Sequence, residues 1–233
     1  MNFRIKRQAP LPTRTASILR WSRYFFFVAG ALALGYVSFV LLDMWLFQAY
    51  QSWRFERALK EAPTSARSGA RLASPPLAAQ AEADRARAAT FGIDGLVGSP
   101  LGRIEISSIG VAAMIMEGTD RKTLRRAVGH IPTTPLPGQP GNVVITGHRD
   151  TFFRGLRNIH KDDEITLTTL HGIYRYRVEL TEVVQPQDIA VLGPSKDSIL
   201  TLVTCYPFYY VGPAPKRFIV RARGLALPGM PAR

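Results

Sequence analysis

The sequence predicts an all-β domain with short helices, preceded by a single N-terminal transmembrane helix. Beyond residue 101 the chain alternates short β-prone runs with Gly, Pro and Asp, at the spacing expected of a β-sandwich or barrel. Near the N-terminus, residues 24–42 form an uncharged, mostly apolar run. With 233 residues, 46% of them hydrophobic, the chain has room for one folded domain with a sizeable core.

The apolar run at 24–42 has about the length of roughly 20 residues that a helix needs to cross a bilayer. The residues before it include several cations and no acidic residue, namely Arg4, Lys6, Arg7, Arg14, Arg20 and Arg23. By the positive-inside bias, this pattern predicts a cytoplasmic tail at 1–23 and a single-pass span at 24–47. The remainder is then extracytoplasmic. A cleaved signal peptide is the alternative, but its apolar region is usually shorter, and no clear small-residue cleavage site follows the run.

The composition changes after the span. Residues 45–61 could continue as a helix, with aromatic rings suited to the membrane interface. From residue 62 the chain is rich in Ala, Ser, Pro, Arg and Gly, with little apolar periodicity, although 77–89 could form a short helix. The segment 48–100 is therefore predicted to be an extracytoplasmic linker. It leads to a folded domain at 101–225 and a C-terminal tail at 226–233.

Within the folded domain, short apolar or alternating runs predict strands, and two segments have helical character. The predicted strands are 103–106, 112–116, 142–145, 164–168, 174–182, 200–205 and 218–222. The helical segments are 120–128 and 151–158. The formal net charge of +13 is spread along the chain without a dense basic block, so it does not predict a nucleic-acid partner.

Cys205 is the one cysteine of the sequence, in a domain that the predicted topology exports. Thiols in oxidising compartments usually occur in disulfide pairs, and Cys205 has no partner in the sequence. From the count alone, a small buried side chain is the commoner role of such a cysteine, and it is the residues around Cys205 that favour a reactive one. Cys205 ends a β-prone run, and Pro207 cannot continue a central strand. The thiol is therefore predicted at a strand end that opens into a loop, where reactive groups are often displayed.

Two further strand ends carry groups that could support thiol chemistry. His148 follows the run 143–147, and Arg217 opens the last strand. A cysteine nucleophile needs to be a thiolate, and a free thiol with a pKa near about 8.5 is mostly protonated at neutral pH. If the strands of Cys205 and Arg217 are antiparallel neighbours, these two residues face each other. A cation there can stabilise the oxyanion of acyl transfer.

Three motifs in this order resemble the sortases, most closely class D and the related Gram-negative types. They are Gly-His-Arg-Asp-Thr-Phe-Phe at 147–153, Thr-Leu-Val-Thr-Cys-Tyr-Pro-Phe at 201–208, and Pro-Lys-Arg-Phe-Ile-Val at 215–220. The resemblance extends over about residues 102–223. It also includes Val-Gly-His-Ile-Pro at 128–132 and Leu-Pro-Gly at 136–138.

This resemblance implies an eight-stranded sortase-type β-barrel and a membrane-anchored cysteine transpeptidase. Such an enzyme cleaves a Leu-Pro-x-Thr-Gly-like sorting signal of a secreted protein through a thioester and transfers the product to an amine acceptor of the envelope. The resemblance assigns Cys205 as nucleophile, His148 as acid/base and Arg217 as oxyanion stabiliser. Thr204 matches a family position that orients substrate or the arginine. No cofactor or metal is expected.

Other residues have ordinary structural interpretations. His130 is expected to be structural, and Asp150 invites a triad role with His148 that the family pattern does not need. The acidic residues 162–164 could bind a cation, but a turn before a strand is the alternative. The aromatic residues 206–210 could face substrate or pack in the loop. Two other functions stay open: a pilin-polymerising sortase, and a non-catalytic, membrane-tethered β-barrel that binds peptides.

Overall fold

The structure is a computed structural model that describes residues 13–61 and 97–225. The chain divides into two compact units, Met1–Trp45 and Leu46–Arg233. A long helix, α1 (Thr13–Glu61), supplies the described part of the first unit and the first residues of the second. The remainder of the second unit is a β-barrel.

The barrel contains eight strands joined by short helices. The strands are β1 (Pro100–Ile106), β2 (Val111–Glu117), β3 (Val128–His130), β4 (Asn142–Thr146), β5 (Glu164–Thr169), β6 (Gly172–Val184), β7 (Ile199–Tyr206) and β8 (Lys216–Gly224). The helices are α2 (Arg121–Arg126) and the 3-10 helices Ser107–Ile109, Arg154–Asn158 and Ile189–Leu192. The expected all-β domain with short helices is confirmed. Each predicted strand matches an observed one, and β3 is the strand that the sequence did not predict.

The strands close in the order β1-β2-β3-β4-β7-β8-β6-β5. Two neighbouring pairs, β2 with β3 and β4 with β7, are parallel. The other pairs are antiparallel. The helix α2 lies between β2 and β3 in the chain. Its N-cap is Asp120, whose carboxylate accepts from the backbone N–H of Lys122 at 2.9 Å and of Thr123 at 3.2 Å. This cap satisfies two amides that a helix start leaves unpaired.

Alternate residues of each strand fill the barrel interior. The core includes Ile104 and Ile106, Val143 and Ile145, Ile165 and Leu167, Tyr176 and Val178, Leu200 and Leu202, and Val220 and Ala222. This spacing of two is what a strand requires when one face is buried. Burial also raises the pKa of the Tyr176 phenol, which therefore stays neutral inside the barrel.

The apolar part of α1 exposes its side chains. Within the described residues, one helix, Arg20–Lys60, is long and apolar enough to cross a membrane. Its large exposed side chains include Phe25, Phe27, Leu32 and Phe39. A continuous apolar surface of this kind is unusual on a soluble monomer and marks a site of interaction.

The last part of α1 is bound to the barrel through Gln48. Its side-chain carbonyl accepts from the backbone N–H of Met114 in β2 at 3.0 Å, and its amide donates to the carbonyl of Arg126. β3 pairs with β2 only from Ile115 onward, so the Gln48 side chain occupies the place of a strand neighbour beside Met114. Phe55, two turns further along the helix, is 7% exposed.

These contacts change the interpretation of the segment 48–100. Residues 48–61 are helical, and Gln48 holds them to the barrel, so this part does not act as a free linker. The sequence could not show this, because Gln48 bonds to Met114 at the part of β2 that β3 does not pair with. Residues 62–96 lie outside the described residues, as do the possible helix at 77–89, the first part of the tail at 1–23 and the tail at 226–233.

Replacing Gln48 tests its role in docking the helix. Gln48→Ala leaves the Met114 N–H and the Arg126 carbonyl without this partner, so we expect the free energy of unfolding to fall by about 1 to 3 kcal/mol. Denaturant unfolding of the detergent-solubilised chain measures it. Gln51→Ala is the matched control, because it removes the same side chain from the same helix. Equal stability of the two variants would contradict the docking role.

Candidate active site

Cys205 lies near the end of β7, directly opposite Arg217 of the antiparallel strand β8. Residues opposite each other in an antiparallel pair have Cα atoms about 4.5 to 5.5 Å apart, and their side chains share a face. The antiparallel pairing that the sequence analysis set as the condition for this contact is present. Leu202 and Val220 point into the core, so Cys205 and Arg217 lie on the outer face of the barrel. Both residues are half-buried.

His148 reaches the same end of the barrel through the parallel pairing of β4 with β7. Thr146, the last residue of β4, is opposite Val203 of β7, and the N–H of Gly147 donates to the Val203 carbonyl at 3.2 Å. His148 is therefore one residue beyond this contact, and Cys205 is two residues beyond it. His148 is exposed. The fold thus brings His148, Cys205 and Arg217 together at one end of the barrel.

Gly147 makes room for the core beneath the turn at residues 147–153, which we call the histidine turn. A Cβ at this position would lie 2.8 Å from the Phe153 ring and 3.0 Å from Val128. Phe153 is fully buried, and its N–H donates to the His148 carbonyl at 3.1 Å. This close approach requires a glycine at position 147, and it fixes the backbone from which the His148 side chain projects.

Thr204 connects β7 to the histidine turn. Its side chain is 2% exposed, and its hydroxyl donates to the Gly147 carbonyl at 2.8 Å. It lies on the inner face of β7, whereas Cys205 lies on the outer face. In the structure, this residue orients the turn that precedes His148.

The guanidinium of Arg217 is bound to the chain that leads into β8. Its Nη1 donates to the carbonyls of Ala214 at 3.2 Å and Lys216 at 3.0 Å. Aromatic residues support the same end of the barrel, since Tyr206 and Phe208 both pack against Phe218. This gives Tyr206 and Phe208 a packing role, while Tyr209 and Tyr210 are exposed.

The remaining sequence candidates have structural contacts. His130 is buried, and its Nδ1 lies 2.9 Å from the Glu117 carboxylate. The Asp150 carboxylate lies 3.4 Å from Nε of Arg149. The Asp163 carboxylate accepts from the backbone N–H of His160 at 2.8 Å, which closes a turn. Among the described residues, no three His, Cys, Asp or Glu side chains group so as to hold a metal ion.

Sequence reasoning gave no weight to Arg149, although its side chain is 7% exposed. A basic residue next to a histidine gives no sign of burial. Arg149 follows the end of a strand and precedes an aspartate in a loop. An arginine in such a position is ordinarily expected to be exposed to solvent.

Known proteins resemble this chain in sequence and in fold. A family model described as the Sortase domain matches residues 104–224. Sortase D of Bacillus subtilis (strain 168) is 33% identical over 199 residues, which cover 84% of this chain and 93% of that protein. The chain belongs to the sortase family. It is therefore a cysteine transpeptidase, and its resemblance to the sortases is confirmed.

Solved sortase structures share the barrel. A Clostridium perfringens sortase D5 transpeptidase superposes with a TM-score of 0.55 at 27% identity, over 74% of this chain and 98% of that chain. A Streptococcus pneumoniae sortase C superposes with a TM-score of 0.52 at 26% identity, over 57% of this chain and 69% of that chain. The predicted sortase-type barrel of eight strands is confirmed. Sortases act on proteins that carry sorting signals and on amine acceptors.

The hydroxyl of Thr204 provides a test of the histidine turn. Thr204→Val keeps the shape but leaves the buried Gly147 carbonyl without its donor, so we expect a loss of about 1 to 3 kcal/mol in stability. Peptide cleavage should also fall, because the turn before His148 is less fixed. Thr204→Ser is the matched control, since it keeps the hydroxyl. Denaturant unfolding and cleavage kinetics decide it, and equal behaviour of the two variants would count against the role.

Proposed function

We propose that this sortase uses Cys205 as nucleophile, His148 as acid/base and Arg217 as oxyanion stabiliser. The observation that carries the proposal is the pairing of Cys205 with Arg217 at the barrel end that also bears His148. Cys205 is also the one cysteine of the sequence, and the family's chemistry needs a thiol.

The reaction proceeds in two acyl-transfer steps. Sγ of Cys205 attacks the carbonyl carbon after the Thr of a Leu-Pro-x-Thr-Gly-like signal, and the resulting oxyanion lies where the Arg217 guanidinium can donate to it. His148 takes the proton of the Cys205 thiol as the thiolate attacks and gives it to the leaving amine, so that the C–N bond breaks and a thioester remains. An acceptor amine then loses a proton to His148 and attacks the thioester, which releases the thiolate. Thr204 holds the histidine turn during both steps.

The proposed substrates are secreted proteins with a C-terminal sorting signal, and the proposed acceptor is an amine of the envelope. The exposed apolar helix supports single-pass anchoring in the cytoplasmic membrane. The basic residues that precede the apolar run support a cytoplasmic N-terminus and an extracytoplasmic barrel. Residues 1–23 then form the tail, 24–47 the span and 101–225 the catalytic domain.

A covalent adduct on Cys205 tests the substrate class. The detergent-solubilised chain is incubated with a panel of Leu-Pro-x-Thr-x peptides, and intact mass spectrometry follows the acyl-enzyme. We expect an adduct that hydroxylamine removes, as a thioester requires, and no adduct on Cys205→Ala. An equal adduct on the Ala variant would exclude Cys205. A folded wild-type chain that reacts with no peptide would exclude this signal class, and transfer only to a pilin lysine would favour the pilin-polymerising function.

Arg217 is tested by its effect on turnover. Losing a donor to the developing oxyanion typically lowers kcat by about 10² to 10³, so Arg217→Ala should lose turnover with little change in melting temperature. Arg217→Lys keeps the charge without the planar fork and should recover only part of the rate. Arg221→Ala is the matched control, because Arg221 lies on the same strand and the same face. A near-normal kcat for Arg217→Ala would assign the oxyanion to another donor.

A further inference from the structure

Arg149 is a buried cation directly after the proposed acid/base His148. Its side chain is 7% exposed, whereas its neighbours His148 and Asp150 are exposed. A buried charge is stable only when it is paired and hydrogen-bonded. The contacts of the Arg149 side chain therefore identify the backbone groups that this residue holds in place.

The Arg149 guanidinium is bound mainly by carbonyls of one loop, residues 207–212 between β7 and β8. Nη1 donates to the Pro207 carbonyl at 2.8 Å, and Nη2 donates to the carbonyls of Tyr210 and of Gly212, the latter at 3.3 Å. The guanidinium carbon lies 5.9 Å from the Tyr210 ring centroid. The carboxylate of Asp150 is 3.4 Å from Nε, so it balances the charge from the solvent side.

This loop joins two of the proposed catalytic residues. It begins two residues after Cys205 and leads to Arg217, whose Nη1 is itself bound to the same connection at Ala214. Arg149 belongs to the turn of His148. One guanidinium therefore ties the backbone that carries His148 to the backbone that runs from Cys205 to Arg217.

The geometry requires an arginine. Three carbonyls converge on two nitrogens of a planar fork, which a single ammonium group on a flexible stem does not reproduce. Arg157 provides a contrast, because it is exposed and contacts the same loop only through the Tyr209 side chain, with Nη1 3.0 Å from the phenol oxygen. Of these two arginines, Arg149 is the one bound to the loop backbone.

We propose that Arg149 is a positioning residue that fixes the 207–212 loop to the histidine turn and so sets the placement of His148 relative to Cys205 and Arg217. Its role rests on the proposed catalytic functions of these three residues. Arg149 itself touches no reacting atom. Its loss separates the two halves of the site without removing any catalytic group.

The test compares Arg149→Ala and Arg149→Lys with Arg154→Ala in the detergent-solubilised full chain. Arg154 is an exposed cation in the same segment, so its variant controls for the loss of charge. Hydrogen exchange at 207–213 reports on the loop, and cleavage kinetics report on the reaction. The rate of iodoacetamide alkylation reports on the environment of Cys205 alone, because the chain has no other cysteine.

For Arg149→Ala we expect faster exchange at 207–213, a change of about threefold or more in the alkylation rate, and a loss of about tenfold or more in kcat/KM. Arg149→Lys should recover these values only in part, and Arg154→Ala should match the wild type. If Arg149→Ala does not fold, the Lys variant decides in the same way.

Unchanged exchange at 207–213 would overturn the proposal. Faster exchange with wild-type alkylation and kcat/KM would overturn it as well, because Arg149 would then only stabilise the fold. If the wild-type chain cleaves no peptide, the proposed function fails separately, and the exchange and alkylation rates still decide the role of Arg149.

Discussion

The parallel pairing of β4 with β7 is the constraint on which the site depends. Local hydrogen bonds cannot bring His148 near Cys205, since 56 residues separate them in the sequence, and the two strands must run in the same direction for both ends to meet. The N–H of Gly147 and the hydroxyl of Thr204 extend this pairing beyond the last residue of β4. β8 pairs with β7 in antiparallel orientation, and this pairing places Arg217 opposite Cys205. Any one-residue slip of β7 would turn Cys205 toward the core.

The alternation of side chains along β7 places Thr204 and Cys205 on opposite faces of the strand. Thr204 faces inward and is buried, and its hydroxyl donates a hydrogen bond to the Gly147 carbonyl. Cys205 faces outward beside Arg217. Small side chains are needed beneath the turn as well, because the Phe153 ring occupies the space that a Cβ at residue 147 would fill. The rigid part of the site is therefore inside the barrel, and the proposed catalytic side chains project from it.

The sequence predicted the strands that show a clear period of two and the residues at their ends. It did not predict β3, because three residues are too few for a periodic pattern. It showed that Cys205 and Arg217 face each other if their strands form an antiparallel pair, as they do. The approach of His148 needed a parallel pairing, which no local sequence pattern specifies. Arg149 and Gln48 were missed for a related reason. Each binds backbone groups distant in sequence, and a polar residue that binds main chain looks the same in a sequence as one that binds water.

The docking of α1 also changes what the segment after it can do. A ~40-residue flexible coil between a membrane span and a domain would allow a reach on the order of 35 Å. Gln48, however, already lies against β2, and it precedes that segment in the chain. Residues 62–96 therefore connect two parts of one compact unit, whatever conformation they adopt.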